Sequence, residues 1–157
     1  MHNLADAYTP NLVCVAPCTM TNNTLAPQHL VIYDGVCNLC SKSVQFILTR
    51  NGKRNIIFTA AQGAYAHHVL AQYGMQPAVL NSVVYINNGK VYKQSAAVLH
   101  ICKQLSGLWP LMYAFIIVPP IIRNAVYNYI AKHRYKWYGS TQVCWLPKPE
   151  WQQRFVS

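Results

Sequence analysis

Hydrophobic and polar positions change their spacing several times along the chain, and each change marks a predicted element. Short apolar runs predict buried strands, whereas apolar residues three and four positions apart predict helices that bury one face. Val44, Ile47 and Leu48 follow the helical pattern. The predicted elements are a strand at 29–35, a helix at 40–52, a strand at 55–62, a helix at 63–74, a β-hairpin at 82–95, a helix at 95–107 and a helix at 121–139.

Turn and cap residues support several of these boundaries. The dipeptide Asn88-Gly89 is a strong signal for a tight hairpin turn. Ser95 is the predicted N-cap of the helix that follows, and Pro119 and Pro120 are placed to open the last helix. The order of strand, helix, strand, helix, hairpin and helix predicts a thioredoxin-like α/β fold with additional C-terminal helices.

Two segments do not fit this repeating pattern. Residues 1–28 have no clear period and are predicted to form an irregular extension, which leaves 29–157 as the folded domain. Residues 108–122 are apolar and uncharged, but a spanning helix needs about 20 apolar residues, and prolines interrupt this segment. We expect a buried helix bounded by prolines here, with attachment to a membrane surface as the alternative.

Composition narrows the classes of partner. The chain has 157 residues and is 53% hydrophobic, and 13 Lys and Arg against 3 Asp and Glu give a formal charge of +10. Because the basic residues are scattered, no specific nucleic-acid partner is predicted, although peripheral contact with an anionic membrane stays open. The N-terminus has neither a secretory nor a mitochondrial signal pattern, so a cytoplasmic location is predicted.

The candidate chemistry lies in a CxxC motif between the first strand and the first helix. At the helix N-terminus, Cys37 would have a lowered pKa and act as the nucleophile, because free N–H groups and the helix dipole favour an anion. Cys40, one turn later and less exposed, would be the resolving thiol. Asp34 could accept the proton of Cys40 as a general base, or it could simply be a turn or cap residue.

A metal-binding module is an alternative use of the same motif. Zinc or iron would need further ligands, and Cys14 and Cys18 could complete a four-cysteine site. Thiol-disulfide exchange itself needs no cofactor, and neither a cofactor nor a metal is predicted. A basic, non-enzymatic adaptor at a membrane surface is the third alternative, supported by the net charge and by residues 108–122.

Several stretches together resemble the DCC family of predicted thiol-disulfide oxidoreductases. That family's signature is an Asp followed by a CxxC, and the resemblance extends over roughly residues 30 to 156. The matching stretches are DGVCNLC followed by SVQFI (34–40 and 43–47), FTAAQ (58–62), GKVYKQSAAVL (89–99), VPPIIRNAVYNYIAKHRYKWYG (118–139) and CWLPKPEWQQRF (144–155).

The resemblance implies a thioredoxin-like fold and an active site that contains Asp34, Cys37 and Cys40. The activity implied is exchange with a disulfide-containing protein or a small thiol substrate. By analogy with the fold, Asn81 and Ser82, just before the hairpin, are candidates for substrate binding. Arg134, Tyr135 and Cys144 also fall on motif positions; Arg134 could hold Asp34 or bind an anionic substrate, and Cys144 could be a third redox thiol.

Overall fold

The computed structural model describes residues 28–76, 82–140 and 147–156, so the predicted extension lies almost entirely outside the described residues. The elements follow the predicted order. They are β1 (His29–Tyr33), α1 (Asn38–Arg50), β2 (Ile57–Ala60), α2 (Ala64–Gln72), β3 (Val84–Asn87), β4 (Lys90–Lys93), α3 (Gln94–Cys102), a 3₁₀ helix (Trp109–Ile117), α4 (Pro120–Tyr138) and α5 (Pro149–Gln152).

The four strands form one mixed sheet in the order β2-β1-β3-β4. Strand β1 pairs with β2 in parallel and with β3 in antiparallel orientation, and β3 pairs with β4 as an antiparallel hairpin. This arrangement of a βαβ unit and a hairpin confirms the predicted α/β class and is consistent with a thioredoxin-like fold with C-terminal helices.

Alternation along β1 places one core on each face of the sheet. Leu30 and Ile32 pack with α2, whereas Val31, which points the other way, packs with α1 and α3. On α1 the residues Val44 and Leu48 are buried, as their spacing predicts. Helix α1 is therefore held firmly against the sheet, and its N-terminus lies just beyond the end of β1.

The hairpin turn is confirmed. Asn88 and Gly89 have φ angles of 48° and 79°, the pair of positive values that a type I′ turn requires.

The predicted capping role of Ser95 is wrong. Helix α3 begins one residue earlier, at Gln94, with Lys93 as its N-cap and without a side-chain capping bond. The Ser95 hydroxyl instead donates to Oδ1 of Asn124 on α4. The Ser95 hydroxyl is therefore used in a contact with a distant helix and is not available to cap α3.

The prediction of a buried helix at 108–122 is also wrong. Residues Trp109–Ile117 form a 3₁₀ helix with no buried residue, and Ile117 is 85% exposed. The sheet faces are already covered by α1, α2 and α3. This segment lies outside them and contacts α1 through Trp109 and Phe46, at 4.7 Å between ring centroids. Within the described ranges, no helix combines the length and apolar character needed to cross a membrane.

The end of the chain closes the outer edge of the sheet. The Phe58 N–H donates to the Arg154 carbonyl at 2.7 Å, and the Val156 N–H donates to the Phe58 carbonyl at 2.9 Å. The side chain of Arg154 is buried and donates to the Ile56 carbonyl and to Oδ1 of Asn51, at 3.0 and 2.9 Å. The C-terminal residues therefore pair with the N–H and C=O groups of Phe58, which would otherwise be unpaired at the edge strand β2.

Replacing Arg154 with Ala should lower the free energy of unfolding by about 2–3 kcal/mol, because two buried acceptors lose their donor. Urea unfolding followed by circular dichroism measures this loss. Lys53→Ala, which removes an exposed cation, is the matched control and should change stability little. Equal stability of the two variants would contradict the structural role of Arg154.

Candidate active site

The two cysteines of the CxxC motif lie at the start of α1. Cys37 is the N-cap residue, with extended backbone angles (φ −89°, ψ 119°), and Cys40 lies in the first turn. Both are free thiols, and the Cys40 thiol hydrogen-bonds to Cys37. The Cys37 sulfur makes no capping hydrogen bond to α1.

The expected order of exposure is wrong, because Cys37 is completely buried and Cys40 is only partly buried. The cause is the end of α4, where the backbone of Ser140 forms an antiparallel bridge with Cys37. The Asn38 amide donates to the Tyr138 carbonyl at 2.9 Å, and Gly139 reverses the chain with a φ of 72°. The last residues of α4 thus cover the first residues of α1.

Asp34, between β1 and α1, is the centre of a hydrogen-bond cluster. Its Oδ1 accepts from the Gln62 amide at 2.9 Å and from the Val36 N–H at 3.2 Å. Its Oδ2 accepts from Nη2 of Arg134 at 3.0 Å and from the Tyr135 hydroxyl. The carboxylate is therefore held from both sides, by the sheet end and by α4.

Arg134 connects this carboxylate to the thiols. It is the buried residue of α4, only 4% exposed, and it forms an ion pair with Asp34. Its Nη1 lies 3.6 Å from Sγ of Cys40. Two roles were considered for Arg134, and the contact with Asp34 is the one observed. This contact places the Arg134 guanidinium beside the partly exposed thiol of Cys40.

Burial raises the pKa of the Cys40 thiol above its ordinary value, and the hydrogen bond to Cys37 adds to the increase. The positive charge of Arg134 acts in the opposite direction but does not outweigh burial. Because Cys40 holds its proton, it can donate a hydrogen bond to the Cys37 sulfur.

The geometry bears on the two roles considered for Asp34. With four hydrogen bonds to its oxygens, the carboxylate is committed to structural partners, and Arg134 forms the contact to Cys40. The arrangement favours a positioning role, in which Asp34 sets where the guanidinium lies. Proton acceptance by Asp34 stays a prediction.

Three residues of the site were given no role by sequence reasoning. Gln62 and Tyr135 hold Asp34, and Asn38 ties α4 to the CxxC motif. The signal for Gln62 and Tyr135 was present, because both fall on stretches that resemble the DCC family. Asn38 carried no signal, since an uncharged residue inside a CxxC has many uses.

A polar cavity of about 440 Å³ adjoins the cluster and is lined by two of the three residues considered for substrate binding, Ser82 and Arg134. The third, Asn81, lies outside the described residues. The cavity shares Arg134 with the thiol site. Its polar lining residues are Ser82, Gln94, Asn128, Lys132, Arg134 and Tyr135.

A second cavity, of about 500 Å³, opens beside Cys40 and is almost entirely apolar. This volume is in the range of small-molecule pockets. We call it the apolar cavity; its lining residues include Cys40, Val98, Ile101, Met112, Ile130 and Arg134. A thiol and a guanidinium thus lie at the wall of an otherwise hydrophobic space.

The metal alternative gains no support from the described residues, which contain no cluster of three or more His, Cys, Asp or Glu able to hold an ion. Cys14 and Cys18, the additional ligands considered above, lie outside the described ranges, as does Cys144. The site described here is therefore built from two thiols, one carboxylate and one guanidinium.

Comparison with known proteins identifies the family. Residues 31–140 match the model of the DCC1-like thiol-disulfide oxidoreductase family. The uncharacterized protein YuxK of Bacillus subtilis (strain 168) is 39% identical over 130 residues, covering 83% of this chain and 95% of that protein. The chloroplastic DCC family protein At1g52590 of Arabidopsis thaliana is 33% identical over 118 residues, covering 74% of this chain and 69% of that protein. No solved structure matches the chain.

The raised pKa of Cys40 predicts a characteristic pH profile of alkylation in the Cys37→Ser variant. Burial penalises the thiolate in the folded protein only, so folded Cys40 should react more slowly than urea-unfolded Cys40 between pH 7 and 9. The folded rate should still rise about tenfold per pH unit beyond about pH 8.5, where the unfolded rate levels off. Peptide-level mass spectrometry separates Cys40 from the other thiols; a plateau near neutral pH would contradict the prediction.

Proposed function

Because the chain belongs to the DCC1-like thiol-disulfide oxidoreductase family, we propose that it catalyses thiol-disulfide exchange through Cys37 and Cys40. The observation that carries the proposal is the pair itself: two hydrogen-bonded thiols at a helix N-terminus, with the Arg134 guanidinium 3.6 Å from one sulfur. A metal site would instead call for further ligands around these sulfurs.

In the proposed reaction the Cys37 thiolate attacks one sulfur of a substrate disulfide. The substrate S–S bond breaks, a mixed disulfide with Cys37 forms, and the leaving sulfur takes up a proton. Cys40 then loses its proton and attacks the Cys37 sulfur, which releases the second substrate thiol. The substrate gains two electrons and two protons, and the protein is left with a Cys37–Cys40 disulfide; the reverse sequence oxidises a substrate dithiol.

Arg134 and Asp34 have their main effect on the second step. Cys40 must lose a proton there although burial raises its pKa, and a guanidinium in contact with its sulfur stabilises the thiolate as it forms. Asp34 keeps that guanidinium in place and moderates its charge. Asp34 is then a positioning residue, and the proton of Cys40 leaves to solvent or to the departing substrate sulfur.

The proposal requires Cys37 to become accessible. The segment Gly139–Ser140 covers it, held by the bridge to Cys37 and by the Asn38–Tyr138 hydrogen bond. Displacement of this short segment would expose the sulfur to a substrate. The substrate would thus enter between the start of α1 and the end of α4.

The apolar cavity suggests the class of substrate. Because it borders Cys40 and is lined by hydrophobic side chains, it fits an apolar group close to the substrate sulfur better than a charged thiol. We therefore propose a disulfide flanked by hydrophobic groups, in a protein segment or a small molecule. A small anionic thiol would leave the cavity unfilled.

Mixed-disulfide trapping tests the assignment of the two thiols. In Cys40→Ser the resolving sulfur is missing, so the substrate should accumulate as a covalent adduct on Cys37, which mass spectrometry detects. In Cys37→Ser, disulfide reduction should fall by at least about a thousandfold and no adduct should build up, because the nucleophile is absent. Adducts on Cys40 in Cys37→Ser would reverse the roles, and full activity in both variants would end the proposal.

Substrate preference tests the role of the apolar cavity. Of two peptides with the same disulfide, the one with Leu beside each Cys should have a kcat/KM about tenfold higher than the one with Ser, since burying Leu contributes about 1.5–3 kcal/mol. Val98→Glu, which places a carboxylate on the cavity wall, should abolish the preference while the Ser peptide reacts as before. His68→Glu, on the opposite side of the sheet, is the control; a preference that survives Val98→Glu would contradict the substrate class.

A further inference from the structure

An extended apolar surface lies outside the thiol site. It is formed by the 3₁₀ helix and by the outward face of the first half of α4, which follow one another across Val118 and Pro119. Its large side chains are between 55% and 85% exposed. We call it the outer apolar face and define it by Leu111, Phe115, Ile117, Ile121, Ile122 and Val126.

Helix α4 has two different sides. Tyr127 and Arg134 point to the thiol site, where the Tyr127 hydroxyl accepts from the Val83 N–H and Arg134 pairs with Asp34. Residues at helical spacing on the other side, from Ile122 and Val126 to Trp137, are exposed. Isolated apolar residues are ordinary on a protein surface, but a continuous exposed stripe of this kind marks an interaction surface.

The charges around this face favour one kind of partner. Between Asp34 and Glu150 the sequence has no acidic residue. Lys132 and Lys136 are exposed and flank the stripe on α4, and Trp137 extends it with an aromatic ring. Apolar side chains next to lysines and aromatic rings are the composition of segments that lie in the interface of an anionic bilayer.

We propose that the outer apolar face binds the surface of an anionic lipid bilayer. The exposed side chains of the 3₁₀ helix and of the start of α4 enter the boundary between headgroups and acyl chains, and Lys132 and Lys136 contact lipid phosphates. A second copy of the chain fits less well, because each copy has a formal charge of +10 and only 3 Asp and Glu in all to offset the repulsion.

This attachment differs from spanning the membrane, since the protein would lie on one side of the bilayer. The outer apolar face shares no residue with the thiol site, although Lys132 also lines the polar cavity that adjoins it. Side chains within the apolar cavity wall, Met112 and Ile130, are themselves 41% exposed, so the cavity lies close to the proposed membrane contact.

Co-sedimentation with vesicles tests the proposal on the full chain. Vesicles of phosphatidylcholine with one third phosphatidylglycerol should bind the protein, pure phosphatidylcholine vesicles should bind it at least about tenfold less well, and high salt should reduce binding to the anionic vesicles. The double variant Ile117→Asp/Ile121→Asp should lower the partition coefficient by at least about tenfold, because two inserted side chains are lost.

The control variant Ala64→Asp/Gln72→Asp makes the same change in charge on α2, away from the outer apolar face. It should retain most of the binding, and thermal unfolding should confirm that both variants are folded. Equal binding by the two double variants, or no binding to anionic vesicles, would overturn the proposal. Sedimentation equilibrium gives a further outcome: a dimer that Ile117→Asp/Ile121→Asp dissociates, without vesicle binding, would assign the face to a second copy instead.

Discussion

The ion pair between Asp34 and Arg134 is the interaction on which the candidate site depends. It joins the end of β1 to a helix one hundred positions later, with 3.0 Å between the charged atoms. Both side chains are largely buried, so each charge needs the other, and breaking such a pair by removing one partner costs about 3–5 kcal/mol. The pair also determines where the second guanidinium nitrogen lies, which is beside Cys40.

Because Arg134 lies on α4, this pair makes a helix that is additional to the thioredoxin-like core a part of the site. Helix α4 supplies Arg134 and Tyr135, and its last residues cover Cys37. One helix therefore supplies charge to one thiol and restricts access to the other. Its opposite side remains apolar and exposed, which gives the same element a second surface for interaction.

Sequence reasoning succeeded where the determining contacts are local. The alternation in β1, the spacing of Val44 and Leu48, and the Asn88-Gly89 turn each predicted the observed element, because their backbone preferences act within a few residues. It failed where a distant partner decided the outcome. Ser95 bonds to α4 and caps nothing, and Cys37 is buried by a segment that the local sequence around the CxxC does not reveal.

The sequence by itself determined the order of the elements, the position of the CxxC at a helix start and the identity of the family, since periodicity, turn residues and motif spacing are properties of short stretches. Only the tertiary structure decided which groups surround the thiols and which apolar residues stay exposed. The 3₁₀ helix is as hydrophobic as a core element, yet α1, α2 and α3 already cover the sheet. Burial is a competition for a limited surface, and its result is set by the whole fold.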